Sequence, residues 1–519
     1  MLRDAPALTT SIDAAERREL HEIADELPGS HRRQVTAGTR SRREFLLASA
    51  GALGAVLVPA VARAARTETR AAGATRRFHT RPDLRPPGIT VATAAPTVAP
   101  GYVFVAPFAG TGQNGPLILD NAGEPVWFLP FPTLTVHNFR VQQLEGKPVL
   151  TWWEGQTVNG FFEGDCVIAD TSYTVVRRLT GANGLRPEVH EFLITARNTA
   201  LITSNNFLPA DLTAVGGPAD ATLIESVFQE IDIATGAVLL EWHSEDHVPL
   251  DESYFPASAT WDYFHLNSVD VDHDGNLLIS SRYTSTVYKL DRQSGEIIWR
   301  LGGKRSDFEL EPGASFAFQH DARGHPGGLV SIFDDGADSP TNAIESTSRA
   351  IVLALDTDAM TARLVRAIPN PHGALTIALG NNQLLGTGGA FVGWGTTPEF
   401  SEFGPEGKLL FDAALAGGAM SYRAFRQPWS GNPGGRPDIA LSGGAGGTLE
   451  VFASWNGATN VSHWQVLGGT RPGSLRPLRT VPRTGFETGV SLSNWPGYVA
   501  VVALDASGGE LGRSSAIAV

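Results

Sequence analysis

The sequence predicts an all-β chain, a six-bladed β-propeller followed by a small β-sandwich. Three observations carry that expectation. First, Gly and Pro number 57 and 33 in 519 residues, above the roughly 12% that an average chain spends on the two. Such a supply of chain-reversing residues, with only 18% charged residues, fits many short strands and turns better than long helices. Second, one hairpin recurs. Leu117-Ile-Leu-Asp-Asn-Ala-Gly-Glu-Pro-Val-Trp127 matches Gln229-Glu-Ile-Asp232 through Trp242 and Tyr288-Lys-Leu-Asp291 through Trp299. Each copy reads as a strand, a tight turn carrying Asp and Gly, and a second strand ending at Trp. Third, the texture changes after residue 433, where the repeat stops.

In chain order, the first element is a leader, residues 1–64. Ser41-Arg-Arg-Glu-Phe-Leu-Leu47, the weakly apolar run Ala48 to Ala62 and the triplet Ala62-Arg63-Ala64 are the three parts of a twin-arginine export signal. The expected location is therefore secreted or cell-envelope, reached through the twin-arginine translocase, with no membrane role beyond export. That pathway carries folded proteins. The single cysteine, Cys166, rules out an intramolecular disulfide and any multi-cysteine metal site, and the chain needs no oxidising compartment to fold. Residues 65–95 read as a linker.

The propeller is expected over 96–433. Besides the three strong hairpins there are weaker copies at Val167-Ile-Ala-Asp170, Leu353-Ala-Leu-Asp356 and Ser401-Glu-Phe-Gly404. The six anchors, Asp120, Asp170, Asp232, Asp291, Asp356 and Gly404, lie 48 to 65 residues apart. That spacing is one four-stranded blade each. The sandwich is expected over 434–519. Ala453 to Leu467, with Trp455 and Trp464, and Gly497 to Asp505, with Tyr498, look like facing strands of a fibronectin type III-like module.

A second period runs in step with the first. His137, His190, His265, His320 and His372 each open an alternating segment, at intervals of 53, 75, 55 and 52 residues. In a propeller, residues at one register of successive innermost strands converge on the axis, so the series predicts a polar, titratable axial site. Arg282, at the end of Leu277-Leu-Ile-Ser-Ser, adds a guanidinium fork suited to an oxyanion. Lys304, Arg305 and Arg349 are further cations. Asp270-Val-Asp-His-Asp274-Gly275 imitates a calcium loop, but Ser281 stands at the twelfth position, and a β-turn is expected there. Forty basic against 54 acidic residues, a net charge of −14, excludes nucleic acid as a partner.

Taken together, His265-x-Asn267-Ser, Ser281-Arg282, Ile298-Trp299-x-Leu-Gly302, Phe318-Gln-His320 and Phe333-Asp-Asp-Gly336 resemble the signature of the bacterial aryl sulfotransferases, in an exported, actinomycete-type branch. The resemblance covers roughly residues 100 to 425. It implies a six-bladed propeller that moves a sulfuryl group from an aryl sulfate donor to a phenolic acceptor through a sulfated histidine, with no nucleotide donor, cofactor or metal. Carried over, His320 matches the nucleophile, and His265, Arg282 and His190 match the groups that hold the sulfuryl oxygens. Asn267, His372, His137 and Arg349 are assigned to substrate binding. Asp321, directly after His320, is expected to alter its basicity. Trp152, Trp153, Phe161, Phe162 and Tyr263 are candidate clamps for an aryl ring. Two alternatives stay open on the residues alone: a non-catalytic propeller binding extracellular glycan or cell-wall polymer, and a metal-dependent propeller hydrolase or lyase.

Overall fold

The recurring Asp anchors are where the fold begins, because each folds its own turn. Asp120 Oδ1 accepts from the backbone N–H groups of Ala122 (2.8 Å) and Glu124 (2.9 Å), and Gly123 takes the left-handed φ of 76° that closes the loop. Asp170, Asp232, Asp291 and Asp356 bond the following amides in the same way. Gly404 has no side chain for this, and its turn is closed by the backbone alone, Gly404 N–H to Lys408 at 2.8 Å.

The computed structural model describes residues 75–519. The twin-arginine leader and residues 65–74 lie outside the described residues. Among the described residues the regular structure is almost entirely strand, and no helix is long and apolar enough to cross a membrane. Up to Gln427 the strands form six sheets of four or five strands, antiparallel except for two short parallel pairings, Thr260–Asp262 in the third sheet and Glu309–Leu310 in the fifth, apart from one small hairpin, Ala337–Ser339 with Asn342–Ala343. Each of the six anchors sits at the turn between the third and fourth strands of one sheet.

Sheet 1 is Tyr102–Phe108, Leu117–Leu119 and Pro125–Phe128, with Met420–Gln427 on its inner edge; sheet 2 is Thr135–Leu144 to Val175–Leu179; sheet 3 is Pro187–Ile194 to Val238–His243. Sheet 4 is Leu266–Val271 to Ile297–Gly302, sheet 5 His320–His325 to Thr361–Pro369, and sheet 6 Asn381–Leu384 to Leu409–Leu415. Two sheets borrow a strand from the far end of the chain. Met420–Gln427 completes sheet 1, and Ile89–Ala94 pairs with Leu409–Leu415 as a fifth strand of sheet 6. Residues 89–94, read as linker from the sequence, are therefore strand. Ile89 and Val91 join the apolar cluster around Phe411 and Leu415, and burial of that pair favours a strand over a tether.

Successive sheets pack face to face through shared apolar clusters. Phe104 and Trp152 belong to the cluster between sheets 1 and 2, Trp242 and Tyr288 to that between sheets 3 and 4, and Trp299 and Ile332 to that between sheets 4 and 5. Sheet 6 shares one with sheet 1 through Phe391, Phe411 and Val103. The repeated Trp also ties one sheet to the next: Trp242 Nε1 donates to Gly295 O, in the anchor turn of sheet 4, at 3.0 Å.

From Asp438 onward there are two further sheets, one of three strands and one built on His463–Gly469 and Tyr498–Leu504. They share a buried cluster that includes Trp464, Val466 and Val501. These sheets are fastened to the first six. Asn456 exchanges two hydrogen bonds with the Phe128 backbone (3.0 and 2.9 Å), Tyr173 OH donates to Gly457 O at 2.7 Å, and Phe78 packs on Phe486 with ring centroids 4.2 Å apart.

Candidate active site

Most of the first strands of sheets 2 to 5 start irregularly. The ladder slips between His137 and Arg140 in sheet 2, between Leu266 and Ser268 in sheet 4, and between His320 and Arg323 in sheet 5. Bulges of this kind re-aim side chains at strand ends. His265, with a φ of 57°, adds a left-handed turn of its own directly before its strand. The result is a cluster. One ring nitrogen each from His190, His265 and His320 lie within 4.8 Å of one another.

Each of these imidazoles is braced from behind by a carboxylate at Nδ1. His190 pairs with Glu188, His265 with Asp262 Oδ2 at 2.6 Å, and His320 with Asp335 Oδ2 at 2.7 Å. The backbone N–H of His265 donates to the other oxygen of Asp262 at 3.0 Å, so that carboxylate fixes both ring and backbone. On the far side of His320, the Leu379 amide donates to Nε2 at 3.3 Å. An amide N–H can only donate, so Nε2 carries the lone pair and Nδ1 the proton that faces Asp335. Burial, reinforced by the charge of Arg282 and by the other two imidazoles, pushes His320 well below the usual histidine range. It is a neutral base at pH 7. Burial likewise lowers His265, against the opposing charge of Asp262. Leu379 has a φ of 71°, an uncommon conformation for a branched residue that aims its amide at the ring.

Arg282 follows strand Leu277–Ser281, and its guanidinium lies over the rings of Tyr283 (5.1 Å) and Phe318 (5.9 Å). One terminal nitrogen donates to Ile377 O at 2.6 Å, and the buried Nε has no partner. A buried guanidinium with donors to spare is an anion site. Tyr422, on the strand that closes sheet 1, stands edge-on to His190 (5.7 Å) and His320 (6.4 Å), and Tyr283 contacts His265 at 4.6 Å.

The other expected site residues divide. His137 lies beside the cluster, ringed by Phe108, Trp153, Phe162 and Tyr422. Both of its nitrogens are buried without partners, and burial drives its pKa to about 3. Asn267 braces rather than faces the cluster: its Nδ2 donates to Gln319 O at 2.7 Å, next to His320. His372 is not brought to the cluster. Its ring is half-exposed and pairs with Asp412 on the fourth strand of sheet 6 at 3.0 Å, because the first strand of that sheet starts only at Asn381. Arg349 is not there either. Its donors are spent on Asp334 (2.9 Å), Glu345 and the Ser315 carbonyl, which makes it a cross-link of sheet 5. Lys304 and Arg305 are tied to Asp251. Of the expected aromatic clamps, Trp152, Trp153 and Tyr263 are core residues, and Phe161 packs against Phe207 at 4.9 Å. The carboxylates of Asp272 and Asp274 converge on Lys289 at 2.6 and 2.7 Å, so that segment is the expected turn.

Asp321 turns away from His320. With a φ of 56°, it sends its carboxylate into a buried ion network with Arg323 (2.6 Å) and Arg423 (3.3 Å) and accepts from the Asn382 amide. Glu191 is the hub of that network, beside Arg140 (2.8 Å), Arg323 and Arg423. Burial alone would raise its pKa, and the three guanidiniums overturn that and hold it far below the usual range. The residues that sequence reasoning missed are the braces Glu188, Asp262 and Asp335, with Tyr422 and Leu379. Asp335 stands within the quoted Phe333-Asp-Asp-Gly336, where its role had no local sign.

With this geometry in place, comparison with known proteins is decisive at one level. The model of the arylsulfotransferase (ASST) family matches residues 140–416. The chain belongs to the arylsulfotransferase family. The matched span contains the three clustered histidines, their carboxylates and Arg282, and excludes both the strand that carries Tyr422 and the C-terminal sheets. No curated protein matches this arylsulfotransferase-family chain. Solved structures are similar only remotely. A Bacteroides caccae protein of unknown function is 14% identical, covering 63% of this chain and 98% of its own, with a TM-score of 0.39. A periplasmic gluconolactonase of Pseudomonas aeruginosa is 12% identical (76% and 99% covered, TM-score 0.33), and virginiamycin B lyase of Staphylococcus aureus is 9% identical (70% and 94% covered, TM-score 0.32). At these scores the likenesses carry no argument.

Proposed function

We propose that this arylsulfotransferase-family protein is an exported enzyme that moves a sulfuryl group from a phenolic sulfate ester to a phenolic acceptor through a sulfohistidine at His320. In this reading the six sheets are the blades of a propeller whose axis holds the histidines, the C-terminal sheets are a fibronectin type III-like sandwich, and the leader directs the chain through the twin-arginine translocase to the cell envelope or beyond. The observation that carries the chemistry is the His320 lone pair: a neutral Nε2 faces His190 and His265 while Asp335 holds the proton on Nδ1.

The first displacement forms a bond from His320 Nε2 to sulfur and breaks the bond from sulfur to the aryl oxygen, whose electron pair leaves as phenolate. As it attacks, Nε2 gives up its long hydrogen bond from the Leu379 amide, and that amide together with the unpartnered Nε of Arg282 meets the negative charge on the peripheral oxygens. Asp335 accepts the Nδ1 proton's hydrogen bond throughout and steadies the positive ring as the nitrogen–sulfur bond forms. In the second displacement an acceptor phenol gives its proton to Nε2 of His190 or His265, its oxygen bonds to sulfur, and the pair of electrons returns to His320. Tyr283 and Phe255, 4.1 Å apart, and Phe162, which is partly exposed, supply aromatic surface for the aryl ring.

Incubation with p-nitrophenyl sulfate and a phenol acceptor tests the reading. Nitrophenolate release that disappears in His320→Ala, with one sulfuryl group mapped to His320 by intact and peptide mass spectrometry, supports it; release undiminished in that variant removes it. Arg42→Lys with Arg43→Lys is expected to retain the protein inside the cell, and unchanged export would remove the twin-arginine assignment.

A further inference from the structure

The same three imidazoles carry a second chemistry. In each, Nδ1 is committed to a carboxylate, Glu188, Asp262 or Asp335, which leaves Nε2 as the atom it can offer to the centre. Histidine backed by carboxylate in this way is the usual outer arrangement of transition-metal sites: the carboxylate fixes the ring and raises its donor strength. Three such rings with ligand atoms within 4.8 Å of one another form an open three-nitrogen face. Zinc binds imidazole nitrogen at about 2.0–2.1 Å, and a tetrahedral set therefore places the nitrogens about 3.4 Å apart. Closing the widest pair takes at most about 1.4 Å of side-chain movement and gives up the long Leu379 bond to His320. No other group of three histidine, cysteine or acidic side chains among the described residues meets the same closeness.

We infer that His190, His265 and His320 form a binding site for one zinc-like divalent ion, and that the bound ion switches sulfuryl transfer off by taking the His320 lone pair. The binding half stands on the geometry alone. The inhibitory half rests on the function proposed above.

Chelator-treated full-length protein titrated with cobalt(II) is the direct probe. The expected result is one saturating equivalent with the visible absorption of a four-coordinate centre, displaced by zinc. Affinity is expected to fall tenfold to a hundredfold in Asp262→Asn and to be lost in His190→Ala/His265→Ala, with circular dichroism checking that both variants are folded. Absence of stoichiometric binding, or binding unchanged in the double variant, overturns the site. In the second arm zinc is added to enzyme turning over p-nitrophenyl sulfate. Turnover should fall in proportion to occupancy and return with EDTA; full turnover at full occupancy overturns the switch while leaving the sulfotransferase reading intact. Protein that binds one cobalt but never turns over aryl sulfate, even free of metal, supports the site and removes that reading instead.

Discussion

The first strands of the sheets supply two buried polar regions made from neighbouring residues, and the two are built on opposite terms. His190 and His320 join the imidazole cluster; the very next residues, Glu191 and Asp321, join the ion network. The same division holds for Tyr422 and Arg423, and for His137 and Asn138, whose side chain bonds Arg423 at 3.0 Å. In the network most charges meet opposite charges, and little is left to bind anything else. In the cluster the His320 ring is neutral, the braces sit behind the imidazoles, and the buried Nε of Arg282 is left without a partner. Buried charges need partners to be tolerable; a reactive centre needs groups with unused capacity. This molecule separates the two demands by one residue along each strand.

The contrast makes unequal demands on variants. His320→Ala should lower turnover of an aryl sulfate by on the order of 10⁴-fold or more while shifting the melting temperature little, and a comparable loss of both would dissolve the distinction. Arg282→Lys should lower kcat by about 10²–10³-fold, since a point charge replaces a planar fork aimed at developing charge; KM alone rising would place Arg282 in ground-state binding. Glu191→Ala should do the reverse of His320→Ala. It leaves three guanidiniums short of their shared partner, and removing one member of a buried ion pair costs about 3–5 kcal/mol. Chemical denaturation measures that loss, and the fraction that remains folded should keep its kcat.

The smallest effect concerns pH. His137 stays neutral in the folded protein down to about pH 3, against 6.5 for the free side chain. Below pH 6.5 the unfolded chain takes up a proton that the folded chain refuses, so stability is present above pH 6.5 and lost as pH falls toward 3, by at most about 1.4 kcal/mol per pH unit. His137→Phe should flatten that part of the stability profile, and an unchanged slope in denaturation measured from pH 7 to 4 would count against it.

What the sequence revealed and what it hid follow from how local each signal is. The anchor turns are closed by an aspartate bonding amides two to four residues away, and such a device leaves a repeating imprint on the chain. The histidines were visible as a period, but period is not register: His372 kept the spacing and lost the position, because a loop runs on to Asn381 before sheet 6 begins. Glu188 and Asp262 stand two and three residues from their histidines and were within reach of a local search. Asp335 is fifteen residues from His320, and only the fold brings the pair together. Arg349 looked free because its partner Asp334 faces it across a strand pair. Tyr422 and Arg423 carried no mark, since the strand that delivers them belongs to the first sheet and comes from the other end of the six-sheet segment.

That returning strand also sets a clock. Met420–Gln427 is the last piece of the six sheets to be synthesised, and it pairs with Tyr102–Phe108, made more than three hundred residues earlier. Pairings this distant in sequence are slow to form, and this one brings in Tyr422 beside the imidazoles and Arg423 beside Glu191. A chain interrupted between residues 320 and 420 has its three clustered histidines but neither of these. The surroundings of the imidazole cluster are thus complete only once translation has passed this closing strand.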